Sequence, residues 1–563
     1  MLTSDKIIVQ IVVDQCEKHK IKHIVFSPGS RNAPLAIAFD ENKAFTTHLV
    51  HDERCAAFFA LGLSQELEEA VALCCTSGTA LLNYYPAIAE AYYRSIPLLI
   101  LSADRPEHLI NQGDGQTIMQ KDVFNKHVHT SISLNDQVHS ENEIMEAQLQ
   151  IAAALSVFAN AWKGPVHLNI ELEEPLYNTV LKAKNYAKSL ENKKDDKDQN
   201  FAFFSQAEAI LENKKIVVLC GQMPKNDRLE RELDQFSDNT NVLVLVENTS
   251  NLQNQKYIHC IDRILNQIDE NDSSYQADIL ISIGGAVVSK KIKTFFRSAK
   301  PKFHWRVGAE FPKMDTYQCL SSSLEINAED FFLKLNQLKF KKNSLNYSGL
   351  WKQKDILAKD KIPEILSEKT SLTDLCVFYH LLNHLPDNCI LHMANSSVVR
   401  YCQLFDPIQT IRYESNRGTS GIDGSTSTAV GAAIANPNQM HFFISGETSF
   451  IYDSNALWIR PFPKNLKIIV INNSGGGIFR IIKGPDNSKQ RSRYFEAQHS
   501  QKVSTIAEAF GLKTECISDF KKLKNSMADF LNKQNNSQLL EIHTKAEQNP
   551  IDLYSFFNTI KKL

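Results

Sequence analysis

Two polar strand tips and a glycine cluster are the residues of this sequence best suited to chemistry. The stretch from His441 to Phe479 reads HFFISGETSFIYDSNALWIRPFPKNLKIIVINNSGGGIF. One apolar run ends at Gly446-Glu447, and a second, 467–471, ends at Asn472-Asn473 followed by glycines 475–477. Between them Phe450, Ile451 and Leu457 have helix-compatible spacing. The whole reads as strand, crossover and parallel strand. Glu447 and Asn473 then emerge at carboxyl ends of strands, where open α/β sheets bind ligands. A carboxylate and an amide oxygen are hard ligands for Mg²⁺ or Mn²⁺, and Mg²⁺ usually shares its shell with substrate phosphates. Glycines let backbone approach a phosphate closely. The stretch is equally compatible with two ordinary strand ends and a Gly-rich turn, and its spacing alone does not choose.

Similar tips recur along the chain, on elements that alternate strand and helix. HIVFSPG (23–29), AVALCCTSGTA (70–80) and PLLILSADRP (97–106) read as strands ending in small or charged residues. GPVHLNIEL (164–172) reads as the last strand of this region. ERCAAFFALGLSQ (53–65) and NYYPAIAEAYYRS (83–95) have helix periodicity, with Pro86 acceptable in a first turn. Polar, charge-rich stretches at 186–200 and 334–348 predict linkers. Between them lie further strands, KIVVLCG, NVLVLVEN, ADILISIGG and PKFHWRVG. After them, NCILHMANSS and LLEIHT are strands, and 415–435 starts as a glycine-rich loop and becomes a helix of small residues. The fold class expected is α/β, with parallel-sheet units at 1–185, 200–335 and 350–563. The first and last regions share a style, which admits a distant duplication.

Bulk properties narrow the function classes. At 563 residues the chain exceeds one ordinary core. A net charge of −2 gives no sign of a nucleic-acid-binding surface. No apolar run is long enough to span a bilayer, so no membrane insertion is expected. The N-terminal stretch reads as an amphipathic helix rather than a signal peptide. The 11 cysteines are scattered, with no CxxC pair, as expected of reduced thiols in a cytoplasmic protein. His51-Asp52-Glu53 is not a nucleophilic triad, because no serine or cysteine elbow accompanies it. His392 and His441 read as structural. GQMPKNDRLE and IGGA do not complete a GxGxxG motif, so the central region reads as mainly structural.

Several of these tips together resemble the thiamine diphosphate enzymes of the pyruvate-decarboxylase and acetolactate-synthase type. The residues that carry the resemblance are SPGSRNAPL (27–35), HDERCAAFFALG (51–62), TSGTA (76–80), SADRP (102–106), GPVHLNI (164–170), NSSVVR (395–400), SNRGTSGIDGSTSTA (415–429) and NNSGGGIF (472–479). They span nearly the whole chain, in family order. SPGSRNAPL and SNRGTSGIDG point within that family to the branch that serves menaquinone biosynthesis. The resemblance implies pyrimidine-binding, central and diphosphate-binding domains, thiamine diphosphate with Mg²⁺ or Mn²⁺, and a homo-oligomer (dimer or dimer of dimers). It implies a carbon–carbon bond-forming transferase that decarboxylates 2-oxoglutarate and adds the succinyl unit to isochorismate. The alternative within the family is another 2-oxo acid decarboxylase or carboligase of acetolactate-synthase type.

The same resemblance implies roles. Glu53, otherwise a solvated glutamate at a helix start, would hydrogen-bond N1′ of the aminopyrimidine and promote proton removal at the thiazolium. Glu447, Asn473 and the Gly475 carbonyl would hold the metal, with Gly476 and Ile478 also at the cofactor. The family usually has Gly-Asp where this chain has Gly446-Glu447. Glutamate keeps the charge and the hard oxygens with one more methylene, so a shifted backbone or altered coordination is expected. Ile422 would prop the cofactor in a bent conformation, or else be an ordinary core isoleucine. Ser425, Thr426 and Ser427 would contact the diphosphate or cap the helix. Ser396, Arg400 and Arg417 would hold the succinyl part of the first substrate. Ser30, Arg31, Arg105 and Lys290 would receive isochorismate, with Arg31 and Gln116 near the reacting carbons. Arginines at strand tips suit a site for several carboxylates. Gly115 and Lys291 depart from the family pattern, and Ile478 and Phe479 would line an apolar wall.

Overall fold

Parallel pairing along buried β-branched runs organises three sheets in the computed structural model, which describes residues 1–187, 201–339, 346–482, 484–532 and 538–563. The first sheet runs in the order Thr46–Leu49, His23–Phe26, Val71–Cys75, Leu98–Asp104, Val166–Glu171, Thr130–Leu134, parallel throughout. Its central strands are buried along their length, as expected of a sheet covered on both faces. The second has the order Val242–Val246, Ile216–Cys220, Ile279–Ile283, Phe303–Val307, Ser322–Leu324, also parallel. The third runs Arg412–Glu414, Ile390–Met393, His441–Gly446, Leu466–Asn472, Leu539–His543, Thr514–Ile517.

Numbered within each sheet in chain order, the first and third sheets share one strand order, 2-1-3-4-6-5. This matches the duplication that the shared style of their tips admits. It also places the same feature in both: the order reverses between strands 1 and 3, and ligands bind at the carboxyl ends beside such a reversal. In the third sheet those two strands end at Met393 and Gly446; in the first they end at Phe26 and Cys75.

By internal packing the chain forms two units, one of Met1–Asp195, Asn416–Met440 and Ile451–Leu466, the other of Asp196–Ser415, His441–Phe450 and Lys467–Leu563. In the first, helix Ser425–Ala435 lies against helix Glu53–Leu67. The approach is close because each contributes a glycine: a Cβ on Gly62 would stand 2.0 Å from the Thr428 carbonyl oxygen, and one on Gly431 2.1 Å from that of Phe59. The second unit holds the central and third sheets, and its apolar clusters form around the central strands.

Some elements differ from the sequence reading. The chain opens with a strand, Leu2–Ser4, before helix Ile7–Lys18; it pairs antiparallel with Thr179–Leu181, so Val166–Glu171 is not the last strand of its region. Three residues carry no periodicity to detect. The edge strands Thr46–Leu49, Thr130–Leu134, Arg412–Glu414 and Thr514–Ile517 lack long apolar runs for the same reason they sit at edges: one side is less buried. The crossover after Glu447 is not one helix but Glu447–Tyr452 and a 3₁₀ turn, Ser454–Trp458, with Asp453 between them. Most of the expected linker 186–200 lies outside the described residues, as do 340–345 of the second; residues 334–337 end helix Ala328–Gln337 and 347–348 begin helix Tyr347–Ser367.

Candidate functional site

In the first unit the site is built around the start of helix Glu53–Leu67. Asp52 caps it, its Oδ1 accepting from the Cys55 N–H at 3.1 Å. The next residue, Glu53, is half-buried, and burial, helped by the Asp52 charge, raises its pKa above the usual carboxylate range. Buried Cys75 and Tyr84 lie within electrostatic reach of it. A carboxyl in such surroundings keeps its proton more readily and can serve as a donor. Arg54 turns away, donating to the Tyr452 carbonyl at 2.7 Å with its guanidinium over that ring. His51 stacks on Trp458, so it takes no part in a triad.

Asp453 joins two helix starts and has no signal in the sequence. It is fully buried, accepting from the Ser427 N–H at 2.7 Å, the Ser427 hydroxyl at 2.8 Å and the Cys55 thiol at 3.4 Å. The helix that carries Ser425 and Thr426 is thus tied to the helix that carries Glu53. Ser427 is therefore a structural anchor, whereas buried Ser425 Oγ and Thr426 Oγ1 have no hydrogen-bond partner among the described residues. Ile422 is 37% exposed and is not a core anchor. Burial raises the Asp453 pKa to about 7 from an ordinary 3.8, with Ser427 opposing the shift. Its folded-state proton is held more tightly than in the unfolded chain. This favours the fold below about pH 4, and the contribution is lost as pH rises through about 7, on the order of a few kcal/mol. Asp453→Asn should remove that dependence. Chemical denaturation of both proteins from pH 5 to 8 should show wild-type stability falling relative to the variant; a constant difference would refute the assignment.

Two other buried side chains shape the first unit's loops. Glu90, 1% exposed, accepts from the Gly418 N–H at 2.9 Å and the Thr419 N–H at 2.6 Å and so holds the loop carrying buried Arg417. Gln120, fully buried, accepts from the Gly78 N–H at 2.8 Å and donates to the Ala103 carbonyl at 3.2 Å and to Asn169 at 2.9 Å. It links the Ser-Gly-Thr turn to two strand ends. Gln116 lies over that turn: a Cβ on Gly78 would come within 3.2 Å of its Cα. Arg31 is buried, donating to the Leu172 carbonyl at 2.9 Å and Glu174 at 3.2 Å, while its Nε has no partner among the described residues. Burial and the neighbouring Arg105 charge lower the Arg31 pKa, and Ser30 is exposed beside it.

In the second unit, Glu447 and the glycine cluster meet. Glu447 is 1% exposed, and its Oε1 accepts from the Gly475 N–H. Burial raises its pKa to about 7, and the charge of Asp374 adds to the shift. The two asparagines divide their work. Asn472 is structural, donating to Glu541 at 2.7 Å and the Gln501 carbonyl at 3.0 Å and accepting from the Ser474 N–H at 3.0 Å. Asn473 donates at 3.4 Å to buried Asp374, and its buried Oδ1 has no hydrogen-bond partner among the described residues. That oxygen beside a buried carboxylate suits a hard divalent cation. His499, which the sequence does not single out, brings Nε2 within 3.7 Å of Glu447. Gly475 has φ +153°, and a Cβ there would stand 2.7 Å from the Glu496 carbonyl oxygen, so only glycine fits. Ile478 and Phe479 follow in a short 3₁₀ turn, both half-buried.

Of the remaining expected residues of this unit, Arg400 lines a small pocket together with Glu247, Asp262, Val288 and Ser289. Ser396 precedes helix Ser397–Cys402, which carries Arg400. Lys290 is exposed at the start of helix Lys290–Ala299. Lys291 turns elsewhere, its Nζ donating to Asn266 at 3.0 Å and lying 4.3 Å from the Phe557 ring centre. His392 and His441 are buried and bonded to each other at 3.0 Å.

Known proteins match nearly the whole chain. Residues 8–126 match the family described as thiamine pyrophosphate enzyme, N-terminal TPP binding domain; 181–393 match the middle domain of thiamine pyrophosphate enzymes; 394–542 match the C-terminal TPP binding domain. A 2-succinyl-5-enolpyruvyl-6-hydroxy-3-cyclohexene-1-carboxylate synthase of Flavobacterium psychrophilum is 40% identical, covering 98% of each chain. Proteins of the same name are 39% identical in Flavobacterium johnsoniae, over 98% of this chain and 99% of that one, and 35% identical in Porphyromonas gingivalis, over 99% and 98%.

Proposed function

The chain belongs to the 2-succinyl-5-enolpyruvyl-6-hydroxy-3-cyclohexene-1-carboxylate synthases, a branch of the thiamine diphosphate-dependent enzymes, and on that premise we propose that it joins a decarboxylated 2-oxoglutarate to isochorismate. What supports this reading most is the match, at 40% identity, over 98% of both chains. No helix among the described residues is long and apolar enough to cross a membrane.

Bound thiamine diphosphate supplies a nucleophilic carbon and a sink for the electron pair released with CO₂. The chain's own residues position, shield and move protons. Glu53, its pKa raised by burial, would hydrogen-bond N1′ of the aminopyrimidine and serve as the proton donor and acceptor there. Glu447, the Asn473 amide oxygen and the Gly475 carbonyl would hold Mg²⁺ or Mn²⁺, which would neutralise diphosphate charge. Ser425 and Thr426, whose buried hydroxyls at a helix N-terminus have no partner among the described residues, would donate to phosphate oxygens. Ile422 supports the cofactor. Arg400, Arg417 and Ser396 would hold the succinyl part of 2-oxoglutarate. Ser30, Arg31, Arg105 and Lys290 bind the carboxylates of isochorismate, and Gln116 orients it. Ile478 and Phe479 exclude water from the reacting carbons. The functional unit is a homo-oligomer, a dimer or dimer of dimers.

The test is a coupled assay with purified protein, thiamine diphosphate and Mg²⁺. CO₂ release from 2-oxoglutarate should keep pace with isochorismate consumption, one for one. Release that isochorismate leaves unchanged would point instead to a simple decarboxylase.

A further inference from the structure

We propose that Glu247 is a positioning residue that presents two cations, Arg400 and Lys290, to the acidic substrates. The inference rests on the substrate-binding roles given above to those two residues. Glu247 follows strand Val242–Val246 and is 2% exposed. Its carboxylate accepts from two consecutive backbone N–H groups, Val288 at 2.6 Å and Ser289 at 2.8 Å. The peptide group that contains the Ser289 N–H also contains the Val288 carbonyl, which accepts from Arg400 Nη1 at 3.4 Å. One peptide thus lies between a carboxylate and a guanidinium, its N–H on the first and its C=O on the second. Its dipole is aligned by both charges, and rotating it would break both contacts.

The same anchored loop delivers Lys290. Ser289 caps helix Lys290–Ala299, its Oγ accepting from the Ile292 N–H at 3.1 Å and donating to Asp262. With Ser289 held at both its N–H and its hydroxyl, the next residue leaves the loop in one direction. Lys291 is occupied by Asn266 and Phe557, which leaves exposed Lys290 as the cation of the pair that meets solvent. The neighbouring residue, Asn248, grips the other partner: its N–H donates to Gln403 at 3.1 Å and its side chain to the Cys402 carbonyl at 2.9 Å, at the end of the helix that carries Arg400. The dipeptide Glu247-Asn248 therefore holds both cation-bearing elements. A carboxylate suits this place because each oxygen can accept one N–H; an amide would turn an NH₂ toward one of the two donors.

Steady-state kinetics on the holoenzyme test this, with Glu247→Gln and Glu247→Asp beside Lys290→Ala and Arg400→Ala. Glu247→Gln should raise KM for both 2-oxoglutarate and isochorismate about tenfold, with kcat within about threefold of wild type. Thiamine diphosphate affinity should stay unchanged, and Glu247→Asp, charged but shorter, should fall between. Lys290→Ala should raise only the isochorismate KM, and Arg400→Ala only that of 2-oxoglutarate. If both cation variants behave so while both Glu247 variants keep wild-type KM values, the positioning role is overturned. A loss of thiamine diphosphate affinity and kcat with unchanged KM would likewise make Glu247 merely structural. Wild-type KM values in Lys290→Ala and Arg400→Ala would overturn the substrate reading and this inference with it. Should Glu247→Gln not fold, the Glu247→Asp values decide on the same criteria.

Discussion

Replacing Glu53 with glutamine should slow turnover by about a thousandfold, within the range typical of a lost general acid–base group, and leave the fold intact. The reasoning starts from shape. Glutamine matches glutamate in volume and keeps a hydrogen-bonding oxygen, and Glu53 is only half-buried at the first turn of its helix. The structural cap there is Asp52, not Glu53. What the substitution removes is the ionisable carboxyl itself, whose pKa burial raises above its ordinary value. Thiamine diphosphate affinity should therefore change far less than kcat, because an amide can still hydrogen-bond the pyrimidine. Calorimetric titration of cofactor and single-turnover decarboxylation separate the two effects. Turnover near the wild-type rate would remove Glu53 from the chemistry.

The second large effect is expected at Glu447. In Glu447→Gln, metal-dependent binding of thiamine diphosphate should weaken by roughly a hundredfold or more, equivalent to about 3 kcal/mol, as expected when a charged hard ligand becomes neutral. The protein without metal should not suffer. Burial already pushes the Glu447 carboxyl up to about 7, so its ionised form is costly there, and a glutamine oxygen can still accept the Gly475 N–H. The expected signature is a melting temperature that is unchanged or higher without ligand, together with loss of the increase that Mg²⁺ and cofactor give the wild type. Unchanged metal dependence would mean that Glu447 does not bind the ion. Collapse of the metal-free protein would instead make Glu447 part of the frame.

The first and third sheets explain why so much of the site can be read from the chain. In a parallel α/β sheet a buried strand must be a continuous apolar run, and its loop must leave from the carboxyl end. Polar residues directly after such runs are thereby candidate site residues. Glu447 and Asn473 directly follow strands in this way and were legible for that reason, whereas the roles expected of Ser396, Arg31 and Arg105 came from the family resemblance. The roles of the residues that hold neighbouring loops were not legible, even where, as with Glu247, the residue itself follows a strand. Glu90 and Glu247 each bind two consecutive backbone amides of a loop far away in sequence, and Asp453 ties Cys55 to Ser427. In the sequence they look like any acidic residue of a helix, a strand end or a turn. Their partners include backbone N–H groups, which leave no mark in side-chain type.

Asn472 and Asn473 show where that line falls. The sequence by itself determined that a pair of amides must leave the end of strand Leu466–Asn472, because the apolar run stops there and glycines follow. Only the tertiary structure decided their roles: Asn472 is spent on Glu541 and Gln501, while Asn473 keeps a buried oxygen beside Asp374. The physical reason is the alternation of a strand end, which points successive side chains in opposite directions. Which direction meets a neighbouring strand and which meets the site depends on the pairing of the whole sheet. The same holds for Gly62 and Gly431, whose close helix contact belongs to residues more than three hundred positions apart.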